Sequence, residues 1–195
     1  MICRGTGAVR VIAGDKKGRA LRSGRGPVYR PTTQLVKGSI FDTLGEETAG
    51  ATFLDLFAGS GGIGIEALSR GAGRAVFVEQ DHRILKALRA NLQRCGYTHE
   101  RAFVRMGDAI RYLKKLAAGE DVFDIIFADP PYAGNIAQEI VALVEGAGRT
   151  ICRMLVVEHG SPVSHDEHGA LERLQTRKFG QTYVTYFRSR RSGEE

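Results

Sequence analysis

The sequence predicts an α/β fold: a mostly parallel sheet of seven strands that ends in an antiparallel hairpin, with a small basic extension at the N-terminus. Two observations support this fold class. From residue 51 onward, short apolar segments alternate with segments of helical periodicity, which is typical of parallel strands joined by crossover helices. Residues 171–179 and 182–188 are separated by Gly180 and are rich in β-forming residues, which is typical of a hairpin.

The elements of the body alternate in a regular order. Strands are predicted from short, mostly apolar segments at residues 52–57, 74–79, 101–106, 122–129 and 154–158. Helices are predicted from apolar residues spaced three and four apart at residues 63–70, 81–94 and 136–144, with a further helix starting near residue 108. These five strands and the two strands of the hairpin make up the predicted sheet.

Upstream of the body, residues 9–13 are predicted to form a strand, and residues 14–27 are rich in Gly and Arg. The motif Arg30-Pro31-Thr32-Thr33 then precedes a helical pattern, in which Thr32 or Thr33 is the expected N-cap. The apolar face of this helix consists of Val36, Ile40, Phe41 and Leu44. We divide the chain into a basic arm, residues 1–48, and a body, residues 49–195.

The net charge of +6 is concentrated in the arm. Residues 1–40 contain nine Lys/Arg and one acid, whereas residues 41–187 contain sixteen Lys/Arg and nineteen Asp/Glu. A near-neutral body with a basic arm indicates an anionic partner, and we favour nucleic acid over an arm that only aids solubility. The candidate substrate-binding residues are Arg10, Lys16, Lys17, Arg19, Arg30 and Thr32.

Composition indicates a soluble protein of the cytoplasm. No apolar run approaches 18 residues and the N-terminus lacks an apolar segment, so we expect neither a membrane span nor a signal peptide. The three cysteines, Cys3, Cys95 and Cys152, are odd in number and widely spaced, which favours a reducing compartment without disulfides. The five histidines show no metal-ligand spacing, so no metal is expected, and a monomer is our default.

A glycine loop joins the first predicted strand to the first helix of the body. The run Gly59-Ser60-Gly61-Gly62-Ile63-Gly64 matches the GxGxxG pattern, and Glu79 follows Gly59 by twenty residues. Glycines at such a turn let the backbone approach a ligand beside a helix N-terminus, where N–H groups are unpaired. This spacing also suits a dinucleotide site, so the loop alone does not distinguish between cofactors.

Acidic residues recur at the ends of successive predicted strands, and they favour S-adenosylmethionine over NAD. Asp55 stands inside the first strand, where a carboxylate suits a ligand that carries an ammonium and a sulfonium. Glu79 ends the second strand and can accept hydrogen bonds from ribose hydroxyls. Asp108 follows the third, where it can accept from an adenine amine or cap a helix, and Asp129 follows the fourth.

The fourth strand ends in Asp129-Pro130-Pro131-Tyr132, the Asp-Pro-Pro-Tyr motif. The prolines lack N–H groups and restrict the residues before them to extended conformations, so strand pairing stops and the chain leaves the sheet rigidly. A carboxylate, outward carbonyls and an aromatic ring then lie within four residues. This arrangement suits a flat ring with an exocyclic NH2 group, although a strand-ending turn with a capping Asp is the simpler alternative.

Taken in order, four segments resemble the class I amino-methyltransferases: residues 55–61, Phe77-Val78-Glu79, Gly107-Asp108-Ala109 and the Asp-Pro-Pro-Tyr motif. The upstream Arg30-Pro31-Thr32-Thr33 and its helix are similar to the bacterial 16S ribosomal RNA guanine-N2 methyltransferase family called RsmD. The resemblance covers roughly residues 8–188. One segment departs from it: the family usually continues Asp-Arg-Val-Arg-Glu, whereas this chain has Gln34-Leu35-Val36-Lys37-Gly38.

The resemblance implies a Rossmann-like fold and methyl transfer from S-adenosylmethionine to the exocyclic N2 amine of a guanine in 16S rRNA, conventionally numbered 966. The expected partner is 16S rRNA within the small ribosomal subunit or an assembly intermediate. The expected catalytic residues are Asp129, Pro130, Pro131 and Tyr132. The expected cofactor-binding residues are Asp55, Phe57, Ala58, Gly59, Ser60, Gly61, Glu79, Gln80, Asp108 and Ala109.

Three other functions compete with this one. A DNA or RNA adenine-N6 methyltransferase shares the Asp-Pro-Pro-Tyr chemistry, but the DNA enzymes usually carry a target-recognition region for which this chain has no room. A NAD-dependent oxidoreductase would leave the motif without a role. A non-enzymatic RNA-binding protein would not need the acids at the strand ends.

Overall fold

The computed structural model describes residues 9–22, 33–132 and 134–190. Its helices are α1 (Gln34–Leu44), a 3-10 helix (Gly45–Thr48), α2 (Gly62–Ser69), α3 (His82–Cys95), α4 (Ala109–Ala118) and α5 (Ile136–Glu145). Its strands are β1 (Thr52–Leu56), β2 (Arg74–Glu79), β3 (Ala102–Met106), β4 (Phe123–Ala128), β5 (Cys152–His159), β6 (Leu171–Phe179) and β7 (Thr182–Ser189). The elements predicted for the body are therefore confirmed to within about two residues at most ends.

The seven strands form one sheet in the order β3-β2-β1-β4-β5-β7-β6. β1 to β5 are parallel, and β7 is antiparallel to both of its neighbours. The predicted parallel sheet with a C-terminal antiparallel hairpin is confirmed. The chain moves outward from β1 to β3 and then returns to place β4 on the other side of β1, so the strand order reverses at this pair. Crevices for ligands open at such a reversal, outside the carboxyl ends of the strands.

Two hydrophobic clusters cover the two faces of the sheet. The first contains buried residues of α1, α2 and α3 together with Phe53 of β1, and the second contains residues of α4 and α5 together with Leu54 and Leu56. Because side chains alternate along a strand, Asp55 lies on the same face as Phe53, toward α2. None of the helices that the structure describes is long and apolar enough to cross a membrane.

The strand predicted at residues 9–13 is wrong. These residues form one isolated bridge, from Arg10 to Ala20, and no strand. The physical reason is that Ile12 and Ala13 donate their backbone N–H groups to the two carboxylate oxygens of Glu66 in α2, at 2.8 and 2.9 Å, instead of to a neighbouring strand. Val9 and Val11 are buried against the first cluster. The bridge is flanked by two backbone hydrogen bonds, from Val11 N–H to the carbonyl of Arg19 at 3.0 Å and from Leu21 N–H to the carbonyl of Val9 at 2.7 Å.

Glu66 also binds Lys37, one of the residues at which this chain departs from the family pattern. Lys37 of α1 is 1% exposed, forms an ion pair with Glu66 at 3.1 Å, and donates to the carbonyl of Arg10 at 2.5 Å. Burial lowers the pKa of Lys37, and the negative charge of Glu66 opposes that shift. Thr33 is the N-cap of α1, as expected, and accepts from the N–H of Val36. Residues 10, 12 and 13 of the arm are thus fixed to Lys37 of α1 and to Glu66 of α2.

We expect Glu66→Gln to lower the free energy of unfolding by about 3 kcal/mol, because it leaves the ammonium of Lys37 buried without its counter-charge. Urea unfolding monitored by circular dichroism measures this change. The matched control is Glu139→Gln, which removes an exposed ion pair with Lys114 and should cost less than about 1 kcal/mol. Equal effects of the two substitutions would contradict the role assigned to Glu66.

Candidate functional site

Four acidic residues lie at one edge of the sheet. Asp55 lies in β1, Glu79 ends β2, Asp108 follows β3 by two residues, and Asp129 directly follows β4. These strands are parallel and adjacent in the order β3-β2-β1-β4, so their carboxyl ends meet at the same edge. The fold therefore brings together the acids that the sequence analysis singled out, at the reversal of strand order.

The glycine loop, residues 57–62, turns sharply between β1 and α2. Phe57 has a φ of 61°, a left-handed conformation that costs an aromatic residue on the order of 1–3 kcal/mol. Gly59 and Gly61 also have positive φ, at 55° and 87°. Backbone hydrogen bonds flank the turn, from Ala58 N–H to the carbonyl of Val78 at 2.9 Å and from Gly61 N–H to that of Ala58 at 2.8 Å. Strain of this kind is concentrated at functional sites.

Close packing explains two of the glycines. A Cβ at Gly61 would lie 2.4 Å from Cδ1 of Leu88 in α3, and a Cβ at Gly64 would lie 2.3 Å from Cε1 of Phe77 in β2. A larger residue at position 64 would clash with the ring of Phe77, and one at position 61 would force the side chain of Leu88 to move. Two of the three glycines in the GxGxxG match, Gly61 and Gly64, are therefore explained by close helix packing. Gly59 and Gly61 also allow the positive φ angles of the turn.

Asp55 is a buried carboxylate, 1% exposed, that accepts the N–H of Gly64 at 2.9 Å. The pKa of Asp55 is raised to about 7, chiefly by burial; the hydrogen bond from Gly64 opposes the rise, and the negative charge of Glu79 adds to it. A carboxylate held near its midpoint at neutral pH is stabilised by a positive charge brought next to it. The site is therefore suited to a cationic ligand.

The Glu79 carboxylate ties the end of β2 to the glycine loop. One oxygen accepts the N–H of Gly59 at 3.0 Å, and the other accepts the N–H groups of Gln80 and Asp81 at 2.8 Å each. The sequence alone did not indicate these contacts. A carboxylate has about four acceptor positions, so Glu79 keeps capacity for a hydroxyl donor.

The neighbouring acid, Asp108, caps a helix. It is the N-cap of α4 and accepts the N–H of Arg111 at 2.7 Å. Of the two roles open to it from sequence, capping is the one that the structure describes. Ala109, the first residue of α4, is buried, and Gln80 after β2 is exposed.

The Asp-Pro-Pro-Tyr motif is anchored through its tyrosine. The Tyr132 hydroxyl donates to Glu158 at 3.1 Å and shares a hydrogen bond of 2.8 Å with the hydroxyl of Thr182. Its ring lies against Gly160, where an added Cβ would be 3.0 Å from Cδ2 of the ring. Tyr132 is nevertheless 47% exposed, so β5 and β7 hold the ring while part of it faces solvent.

A surface cleft opens beside the motif. It is lined by residues 130–132 and by residues 159–163, with further walls from residues 134, 135, 137 and 138. Burial raises the pKa of Tyr132 to about 12, and the hydrogen bond to Thr182 opposes the rise, so the phenol stays neutral at physiological pH. Glu158, Thr182 and Gly160 were missed as site residues, although an acid at the end of an apolar strand was a usable signal for Glu158.

Asn91 was also missed, and it links the glycine loop to the arm. Its side chain is fully buried in α3 and donates to the carbonyls of Ser60 and Arg22, each at 2.9 Å. Its oxygen accepts the N–H of Arg22 at 2.8 Å. A polar residue on the apolar face of a predicted helix was the only sequence signal.

The arm residues proposed from sequence do not all stand free in solvent. Arg10, Lys17 and Arg19 are exposed, whereas Lys16 is partly buried, 3.1 Å from Asp15 and above the ring of Tyr97. Arg30 and Thr32 lie outside the described residues. Within the described ranges, no group of three His, Cys, Asp or Glu side chains could hold a metal ion.

One family model and three known proteins are similar to this chain in sequence or in fold. The model of a family described as conserved hypothetical protein 95 matches residues 9–188. YlbH of Bacillus subtilis, provisionally described as an rRNA methyltransferase, is 39% identical over 184 residues, or 93% of this chain and 100% of that protein. Ribosomal RNA small subunit methyltransferase D of Haemophilus influenzae is 37% identical over 138 residues, or 71% of each chain. The solved structure of yhhF from Escherichia coli, provisionally described as a methyltransferase, is similar with a TM-score of 0.79 and 28% identity, over 94% of this chain and 98% of that one.

We expect Asn91→Ala to destabilise the protein by about 1–3 kcal/mol, because it leaves the buried carbonyl of Ser60 and the partly buried backbone groups of Arg22 without the amide. It should also speed proteolysis near residue 22, since the arm loses its contact with α3. Urea unfolding and limited trypsin digestion measure the two effects. Gln93→Ala, an exposed change in the same helix, is the control and should alter neither.

Proposed function

This chain belongs to the conserved hypothetical protein 95 family, and on that premise we propose that it transfers a methyl group from S-adenosylmethionine to the exocyclic N2 amine of a guanine in 16S rRNA. The observation that carries the proposal is the position of the Asp-Pro-Pro-Tyr motif, directly after β4 and next to the acid-lined end of β1. A donor at the glycine loop and an amine at the motif would then meet across the reversal of strand order. Relatives named as small-subunit rRNA methyltransferases support the choice of substrate.

The residues present suit S-adenosylmethionine. The buried Asp55 carboxylate matches the positive charges of the ligand, Glu79 has acceptor capacity for a ribose hydroxyl, and Asp108, which caps α4 after β3, would accept from the adenine amine. The turn at Gly59 and Gly61 lets backbone N–H groups approach the ligand. The remaining proposed contacts come from Phe57, Ala58, Ser60, Gln80 and Ala109. When bound, S-adenosylmethionine supplies the electrophilic methyl group.

At the motif, positioning accounts for most of the proposed catalysis. The lone pair of an exocyclic amine is delocalised into its ring, so the amine is a poor nucleophile. Asp129 and the carbonyl of Pro130 would accept its two N–H bonds and direct the lone pair toward the methyl group. Tyr132 would hold the face of the base; its neutral phenol is already fixed by Glu158 and Thr182, so little side-chain freedom is lost on binding.

The substrate follows from the geometry of such a site. A base reaches the motif only when it is out of its stack, so we propose an unpaired or flipped guanine, conventionally numbered 966, in the small subunit or an assembly intermediate. The arm, residues 1–48, would hold the RNA while the body, residues 49–195, binds the cofactor and performs the transfer. We propose that the protein acts on this rRNA in the bacterial cytoplasm and as a monomer.

We expect Asp129→Ala to abolish methyl transfer while the affinity for S-adenosylmethionine changes less than about threefold, because the carboxylate contacts the amine and not the donor. Transfer of labelled methyl groups to unmethylated small-subunit particles measures activity, and calorimetry measures binding. Asp121→Ala, an exposed acid before β4, is the control. Retained turnover in Asp129→Ala would overturn the proposal. A methyl label mapped to adenine N6 would instead support the competing function, an adenine-N6 methyltransferase.

We expect the affinity for S-adenosylmethionine to fall as pH drops below 7. The pKa of Asp55 is raised to about 7 in the free protein, so below that pH the carboxyl is protonated and cofactor binding must release its proton. The fall should approach tenfold per pH unit between pH 7 and 5.5. Calorimetry across pH 5.5–8.5 measures it; Asp55→Asn should bind weakly with a flat profile, and a flat wild-type profile would contradict the role of Asp55.

A further inference from the structure

Helix α3 carries a basic surface that the proposed function leaves without a role. Its fourteen residues include Arg83, Lys86, Arg89 and Arg94 and no acid. Arg83 pairs with the N-cap Asp81 at 3.1 Å. Lys86, Ala90 and Arg94 follow one another at four-residue spacing, so they share one row of the helix surface, and we call this row the α3 ridge. Both cations of the ridge are exposed, and Ala90 between them is half-buried.

The α3 ridge lies beside the described part of the arm. Arg94 comes one helical turn after Asn91, whose side chain binds both backbone groups of Arg22. The positive charges of Arg19, Lys16 and Arg94 also act together on Cys95: burial raises the pKa of this thiol, and the three cations oppose the rise.

The acid in this region is already paired. Asp15 forms an ion pair with Lys16 and accepts from the hydroxyl of Tyr97 at 2.9 Å. The exposed charges where residues 15–22 lie near the end of α3 are therefore predominantly positive; they include Lys17, Arg19 and Arg94.

We propose that the α3 ridge, together with Lys17 and Arg19 of the arm, forms one phosphate-binding surface for the substrate RNA, separate from the cleft at the Asp-Pro-Pro-Tyr motif. This inference rests on the proposed function for the identity of the RNA. Lys86 and Arg94 are separated by eight residues, or about 12 Å along the helix, so they contact different phosphates. Because Asn91 holds both Arg22 and Ser60, the surface is anchored directly to the glycine loop.

The test compares two double substitutions that remove the same charges from opposite faces of the sheet. Lys86→Gln with Arg94→Gln neutralises the ridge. Arg111→Gln with Lys115→Gln neutralises one Arg and one Lys on α4, both exposed, and each pair includes one cation from the last turn of its helix. The two double variants are thus matched in net charge, in helix propensity and in the loss of one positive charge from the last turn of a helix.

Binding to a 16S rRNA transcript is measured by filter binding between about 50 and 300 mM KCl. The ridge variant should bind about tenfold more weakly near 100 mM salt, and the slope of log affinity against log salt should decrease in magnitude by about 1.4–1.8, as expected for two lost phosphate contacts. The α4 variant should stay within about twofold of wild type. Calorimetry with S-adenosylmethionine should give unchanged affinity for both.

Equal behaviour of the two variants, whether both weaken or neither does, would overturn the assignment of the surface to α3. The proposed function fails separately, if wild-type protein does not methylate small-subunit particles. Wild-type methylation with a ridge variant that binds RNA like the α4 control would reject the surface and leave the enzyme assignment standing.

Discussion

β1 pairs in parallel with β2 on one side and with β4 on the other, and every feature of the site depends on this pairing. The register places Leu56 opposite both Val78 and Ala128, so the three strands end within one residue of one another. The glycine loop, the Glu79 carboxylate and the Asp-Pro-Pro-Tyr motif consequently emerge at the same edge of the sheet. A shift of one residue in β1 would turn Asp55 away from α2 and toward the other hydrophobic cluster.

Two buried polar side chains attach the basic arm to this frame. Glu66 accepts backbone N–H groups of residues 12 and 13 and also pairs with Lys37 and Arg70, while Asn91 binds both backbone groups of Arg22. A buried ion pair gains little net stability, because desolvation offsets most of the attraction. Its contribution here is to satisfy backbone groups that no strand partner would satisfy. Residues 12, 13 and 22 are thereby tied to α2 and α3.

Burial raises a pKa at both ends of the site, with different consequences. At Asp55, burial brings the pKa of the carboxyl close to 7, so a cationic ligand can shift it toward the charged form. At Tyr132, burial keeps the phenol protonated, so the ring acts as a fixed surface and not as a base. The Asp55 end would therefore bind its ligand through charge, and the Tyr132 end through a fixed ring surface. This difference fits a charged methyl donor at the first end and a neutral amine at the second.

Sequence patterns were sufficient for the body of the fold. Helix and strand periodicities are local, and the strands from β1 to β7 each carry enough β-forming apolar residues to be recognised without knowledge of their partners. The strand expected at residues 9–13 shows the limit: its apolar residues are buried, but its N–H groups bind a carboxylate 54 residues away along the chain. No local pattern contains that partner.

The candidate site divides in the same way. Glycines at strand ends, an acid inside a strand and a double proline are unusual in local terms, so the sequence by itself singled out Asp55, Glu79 and the Asp-Pro-Pro-Tyr motif as candidate site residues. Only the tertiary structure decided what supports them: Glu158 and Thr182 under Tyr132, and Asn91 between Ser60 and Arg22. The physical reason is that a hydrogen bond between distant segments depends on strand order and helix packing. The identities of the two bonding residues determine neither.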